Sequence, residues 1–506
     1  MSMPFFNKRF VFTQPDGTQF EVVGTGDQFN AFFETPDGYA VVRDPASGFY
    51  QYGKVSPDGD ELVPTGVRPG AANPVSLGLR ARARPSPVAL NAGVLARPAL
   101  PRSPSRWEVR RERRRTAQVM SKAGISRAPP QRKTIGTYVG LCLLVQFPDV
   151  PGMIKREEVE AFCNQAGYNG FGNNGSVFDY FRDNSDGKLS YTNIVAPYYT
   201  TKHPRSYYTN EAIEQPIRAW ELIKEALDHH LAAGFDFSKL TVDDQQYVYA
   251  LNVFYSGVRV NNWAKGLWPH SYHLQTPKAL GHGKLAFDYQ ITDIGNELSL
   301  GTFCHENGHM ICDFPDLYDY GQESNGAGYY CLMCAGGIDD NREKNPCQVG
   351  AYLKHSAGWT SALQNIEPGS AYSLKAGRNE FAIHRKDDTE YYIVENRAQA
   401  GRDVKLPDAG LAVWHVDELG SNSDEQQQPL KHYECALIQA DGKNELENGS
   451  SNGDENDLFQ HGENDHLSDT THPNSKWWDK TGSGLNIREI SLAGVTMTFS
   501  TGSAEV

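Results

Sequence analysis

The chain has no histidine before His203 and no cysteine before Cys142. Its first 141 residues therefore offer neither imidazole nor thiolate to a metal ion. No apolar run approaches the ~20 residues needed to cross a bilayer. The best, residues 138–147, has the length of a strand, so no membrane span is expected. The opening Met1–Arg9 lacks the apolar stretch of a secretion signal. Acids nearly vanish between Leu79 and Lys133, where only Glu108 and Glu112 stand against fifteen Arg or Lys, a net of +13. The chain of 506 residues totals −14, which leaves −27 outside that tract. A chain this long is expected to hold two to four domains.

What is present centres on Cys304-His305-Glu306-Asn307-Gly308-His309. His-Glu-x-x-His on a helix places both imidazoles on one face, where they can hold one metal. Glu306 is then placed to take a proton from a water acidified by that metal. Leu298, Leu300, Phe303, Cys304 and Ile294 give this helix an inner apolar face. Residues 284–292 before it alternate as a half-buried strand, whose edge could pair with an extended substrate. A third ligand is needed, and Pro315 stops the helix just ahead of Asp316, the preferred choice. Asp313, as a helix-terminal group, Asp319, as a structural one, and Glu323, in an apparent loop, are the alternatives. Met333, in a Gly-ended turn, is placed to pack beneath the metal.

Around this motif the elements alternate. Residues 138–147 predict a buried strand, Asn210 to about His230 a capped helix, 247–255 a second strand and 346–359 a helix. An α+β catalytic domain over 134–365 follows, then a β-rich C-terminal domain over 366–506. Residues 1–78 predict a β-rich N-terminal domain, with turns at Pro15-Asp16-Gly17 and Pro57-Asp58-Gly59. The basic Arg/Pro-rich tract 79–133 could be a nucleic-acid arm, a membrane-surface helix, a solvated charge run or a cleavable segment. In a peptidase, an exposed basic linker open to an activating protease is the economical reading, with no nucleic-acid partner. Asp16, Asp37 or plain steric cover would be the means of latency.

Eight cysteines allow three readings. Cys331 and Cys334 could join Cys304 and Cys312 in a second metal site, Cys312 could pair with Cys331 or Cys334, or all remain buried thiols. The acidic stretch 441–469, with Asp454, Glu455, Asn456 and Asp457, has the oxygen-rich composition that suits Ca2+, although it fits no EF-hand spacing.

His305–His309 followed by Pro315-Asp316-Leu317-Tyr318-Asp319 resembles the immune inhibitor A-like metallopeptidases, secreted metzincin-type zinc endopeptidases. Further likeness lies in residues 175–181 and 184–189, in Glu395-Asn396-Arg397, in residues 406–411 and 414–417, and in residues 15–18 and 34–39. The resemblance implies a zincin/metzincin-like catalytic domain, a prodomain, and Zn2+ held by His305, His309 and Asp316. It also implies Glu306 as general base, Met333 in the methionine turn, and secretion. The substrate would be a protein or peptide, with Tyr318, Tyr320 or Tyr330 as oxyanion donor. Ala335 stands where some metzincins have a further Tyr. Two rivals are a catalytically silent zinc-binding or adhesion module and a zinc amidase acting on cell-wall peptides. Retention of Glu306 beside both histidines argues against the first.

Overall fold

The computed structural model describes residues 5–27, 30–86, 89, 103–126, 133–261, 263, 265–321, 323–339, 342–423, 431–462 and 465–502. The chain is a mixed α/β protein dominated by four β-sheets. Among the described residues no helix is long and apolar enough to cross a membrane.

The N-terminal part is a six-stranded antiparallel meander: β1 (Phe5–Thr13), β2 (Gln19–Gly26), β3 (Ala31–Glu34), β4 (Ala40–Arg43), β5 (Tyr50–Val55) and β6 (Leu62–Pro64). Short strands joined by Pro-Asp-Gly turns favour such a sheet, and Gly17 and Gly59 both sit at positive φ in those turns. One face buries Phe5, Phe10 and Phe12 and closes on Trp268 of the next domain, 5.8 Å ring to ring from Phe10.

The basic tract does not run free. Residues Arg106–Lys122 form a helix, α1, that packs on the rest of the molecule and buries, wholly or in part, every one of its arginines but Arg113. The parts of the tract at 87–88, 90–102 and 127–132 lie outside the described residues.

The central sheet runs in the order β10-β11-β9-β7-β8. β7 (Gly136–Gln146), β8 (Leu189–Thr200), β9 (Leu251–Tyr255) and β11 (Leu285–Asp293) are parallel neighbours, and β10 (His270–Ala279) lies antiparallel at the edge. Between β7 and β8 come α2 (Arg156–Asn164) and α3 (Val177–Asn184), and α4 (Ile217–Ala232) precedes β9. The strand expected over 284–292 is β11, flanked on both sides, so the sheet's edges belong to β10 and β8 instead. Asn210 does not cap α4; its carboxamide takes the Ala212 amide at 3.0 Å in a local turn, and the helix starts after Pro216.

Helix α5 (Leu300–Cys312) follows β11 and lies under the sheet's buried polar row, and α6 (Ala351–Ser356) is shorter than the 346–359 expected. Beyond α6 come β12 (Ala362–Asn365), β13 (Ala371–Lys375), β14 (Glu380–Arg385), β15 (Glu390–Arg397), β16 (Gly410–Asp417), β17 (Cys435–Leu437), β18 (Ile487–Arg488) and β19 (Thr496–Thr501). Alternation splits β14–β16 between two cores. Phe381, Ile383, Tyr391, Ile393 and Trp414 join the core beneath α5, whereas Tyr392, Val394, Leu411 and Val413 pack on β13 and β19. The boundary expected near 365 thus falls between elements that share one apolar core.

Candidate metal centre

Helix α5 is positioned by its own sequence. Asn173 accepts from the Leu300 amide at 3.2 Å and donates to Leu298 O at 2.8 Å, which holds the helix N-terminus. A Cβ on Gly301 would lie 1.8 Å from Gly337 O, so only glycine permits that backbone approach. Asn307, between the two histidines, donates to Asn252 Oδ1 at 2.9 Å and accepts from Tyr191 Oη at 2.6 Å. This buried network pins α5 to β8 and β9 and was invisible to the periodicity of the sequence.

The helix continues through Cys312, and Asp313 then turns left-handed at φ 58°. The turn brings Asp316 Oδ1 to 3.1 Å from His305 Nε2 and 3.2 Å from His309 Nε2, and the two Nε2 atoms are 3.2 Å apart. All three residues are at least 96 % buried. His305 Nδ1 lies 3.0 Å from Leu332 O, and His309 Nδ1 2.6 Å from Phe314 O. Carbonyl oxygens only accept, so each Nδ1 carries the proton and each Nε2 lone pair points at the shared centre. Burial pushes the Asp316 carboxyl up, but the adjacent imidazoles outweigh it and hold the group well below the ordinary carboxylate range. Burial likewise opposes charge on His309, and Asp316 reverses this and raises its pKa.

Tyr320 Oη donates to Asp316 Oδ2 at 2.7 Å and orients the carboxylate. Met333 is fully buried beneath the helix, 2.8 Å from where a Cβ on Gly308 would stand. Glu306 is 2 % exposed, and its Oε2 is buried with no hydrogen-bond partner, as is Tyr318 Oη. A two-nitrogen, one-oxygen donor set beside an unsatisfied carboxylate fits zinc with a fourth position left for water.

The alternatives for the third ligand fall elsewhere. Asp319 accepts from the amides of Gly321 at 2.8 Å, Glu323 at 2.6 Å and Ser324 at 3.2 Å, and burial pushes it up to about 6. Asp313 accepts from Arg110 of α1, and Glu323 lies in the loop that Asp319 organises. Of the candidate oxyanion donors, Tyr330 is turned away and donates to Asp457 Oδ2 at 2.9 Å. All eight cysteines are buried. In the acidic stretch, Asp441, Glu445 and Asp454 converge, with Lys443 Nζ 2.7 Å from Asp441; Glu455, Asn456 and Asp457 are not part of that group.

Two elements close over the centre. From one side Trp107 of α1 stacks on His309, with centroids 4.7 Å apart and planes at 23°. The α1 N-terminal amides of Arg106 and Trp107 donate to Asp288 of β11 at 2.9 and 3.3 Å, and burial still pushes that carboxyl up to about 7. Arg110 donates to Asp313 at 2.9 Å and to Met310 O at 2.9 Å, and pairs with Asp243 at 3.2 Å. From the other side β1 contributes Phe5, Lys8 and Phe10 to a small cavity, about 60 Å³, that reaches Glu306. Asp16 and Asp37, the carboxylates expected to act on the metal, are exposed in turns of the N-terminal sheet, and Asp16 pairs with Arg68 at 2.8 Å. The buried carboxylate of that region is Asp27, whose charge adds to the rise in the Tyr318 and Tyr320 pKa values behind burial and the nearer Asp316. No protein-family description matches the chain, and no curated protein matches it.

Proposed function

We propose that the protein is a zinc-dependent endopeptidase and that the arrangement closed by α1 is its latent form. The observation that carries the reading is the convergence of His305, His309 and Asp316 beside a buried, unsatisfied Glu306 carboxylate. A zinc ion held by those three side chains would supply Lewis acidity, to acidify a water and to polarise the scissile carbonyl. Glu306 then acts as general base toward the attacking water and afterwards delivers that proton to the departing amine. Tyr318, with its free buried hydroxyl, is the better placed donor to a developing oxyanion, because Tyr320 is engaged by Asp316. The zincin-type arrangement and secretion implied by the resemblance belong to this same proposal.

Latency is part of the reading. Trp107 lies on a ligand imidazole, so substrate has no access until α1 leaves. Arg127, Arg132 and Lys133 follow α1 in sequence and are sites where a trypsin-like protease would cut it from the catalytic part.

The test is casein hydrolysis by trypsin-nicked, zinc-loaded protein, wild type beside Glu306→Ala, with zinc measured on both. Loss of activity in the variant, with about one zinc per chain retained in each, is the expected result. A wild type that binds no zinc removes the proposal.

A further inference from the structure

The carboxylates beneath α1 form a pattern that latency alone does not require. Asp243 is 3 % exposed, and both its ion pairs run to α1, to Arg106 at 3.3 Å and Arg110 at 3.2 Å. Glu434 is equally buried, and both its ion pairs also run to α1, to Arg111 and to Arg115 at 3.8 Å. Asp313, three residues before the ligand Asp316, takes Arg110 at 2.8 Å. Arg115 further donates to the carbonyls of Glu418, Leu419 and Gly420 at 3.1, 2.7 and 2.9 Å. Aromatic faces complete the seats, with the Arg106 guanidinium 4.2 Å over Tyr247 and that of Arg110 4.8 Å over Tyr249. Alongside the helix runs a groove of about 830 Å³ whose wall includes both Asp316 and Glu434.

We infer that the seat of α1, with this groove along one side of it, is a cation-selecting substrate cleft, in which Asp243, Asp313 and Glu434 receive arginine-rich segments of protein substrates. The inference rests on the peptidase reading of the same site and names its substrate class. Its logic is charge pairing. The departure of α1 takes from Asp243, Asp313 and Glu434 the arginines they pair with, and a carboxylate deprived of a charge-assisted bond in a protein-walled cleft is left at a cost. A basic segment restores those charge-assisted bonds, and a neutral one does not, so the cleft discriminates by what it leaves unpaired. Trp107 shows that the occupant's path runs over the metal ligands, since the same helix that fills the cationic seats also covers His309. The helix is thus the cleft's built-in occupant, and the groove beside it reaches Asp316. Arginine suits it better than lysine, because Arg110 and Arg115 each use several N–H groups at once.

The experiment uses the full chain carrying Trp107→Ala, Arg110→Ala and Arg111→Ala, zinc-loaded, so that α1 cannot hold its seat. Fluorogenic peptides are paired to differ only in arginine against citrulline. A kcat/KM preference of about tenfold or more for arginine is expected, and Glu434→Gln on that background is expected to narrow the ratio. Equal turnover of the two peptides overturns the inference while leaving the peptidase standing. A second readout needs no hydrolysis: anisotropy of a labelled peptide of residues 103–126 against the same chain with Glu306→Ala. Binding that weakens about tenfold or more when its arginines become citrulline supports the cleft, even if no peptide is hydrolysed, in which case the peptidase reading alone fails. Binding indifferent to that change overturns the cleft. Should Glu434→Gln not fold, the citrulline series decides without it.

Discussion

At the scale of single residues, a side chain's neighbours set its ionisation, and this gives the packing behind the candidate metal centre a pH response of its own. His355 of α6 is 9 % exposed and lies 3.0 Å from Thr360 Oγ1 through Nδ1, while Arg385 donates to its Nε2 at 3.3 Å. Burial, and then the Arg385 charge, push its pKa down to about 4. An unfolded histidine titrates near 6.5, so between about pH 6.5 and 4 the unfolded chain binds a proton that the folded chain refuses. Its contribution to stability is full above that window and is lost as pH falls through it, at most about 3 kcal/mol. His355→Gln removes the titration. Denaturant titrations of wild type and variant are expected to diverge at pH 7.5 and to converge by pH 4.5. A difference constant across that range would show that the imidazole is not held neutral. Because only the difference is read, oppositely shifted groups such as Asp319 and Asp457 cancel.

At the scale of elements, what the sequence revealed and what it hid follow from how local each signal is. The two histidines and Glu306 are spaced by the helix itself, and Pro315 marks the turn that delivers Asp316, so these four residues were legible from a dozen positions. Strand β7 announced itself by an unbroken apolar run. Helix α1 did not. Its arginines carry almost no apolar periodicity; they pair with carboxylates at 243, 313 and 434, and Asp288 takes the helix's first amides, all more than a hundred residues away in sequence. A tract that looked solvated is therefore held by buried charge. Arg110 is its centre, with Asp313, Met310 O and Asp243 within 3.2 Å. Each buried charge-assisted bond is worth ~1.5–3 kcal/mol. Arg110→Ala is expected to weaken closure by about 3 kcal/mol, net of the carboxylates' rehydration, and to raise the open population about a hundredfold. The readout is limited trypsinolysis of the intact chain. Cleavage within 106–122 should accelerate strongly, with the global unfolding midpoint little changed. Unchanged cleavage would mean that the helix is held by its apolar contacts instead.

At the scale of the whole molecule, charge is divided between the parts that close on each other. Residues 1–126 hold seventeen Arg or Lys and eleven acids, a net of +6, so the remainder of the −14 chain carries −20. Opposed net charges steer association, and salt screens that steering. The contacts that hold the closed state are of two kinds. Lys8–Glu343 and Arg43–Glu211, both at 3.6 Å, are partly exposed, whereas the pairs of Arg106, Arg110 and Arg111 are nearly dry on the acid side. Screening acts on the long-range field and on the exposed pairs, and little on the buried ones. Once the chain is nicked after α1, rebinding of the N-terminal piece should therefore respond to salt in its on-rate and scarcely in its off-rate. Stopped-flow mixing of the two parts, followed through Trp107 fluorescence, is expected to show association slowing about tenfold between 50 and 500 mM NaCl, with dissociation changing less than about threefold. An off-rate rising in step with salt would place the arginine pairs in water rather than in the cleft. It would also remove the reason why a basic helix, and not an apolar one, seals this site.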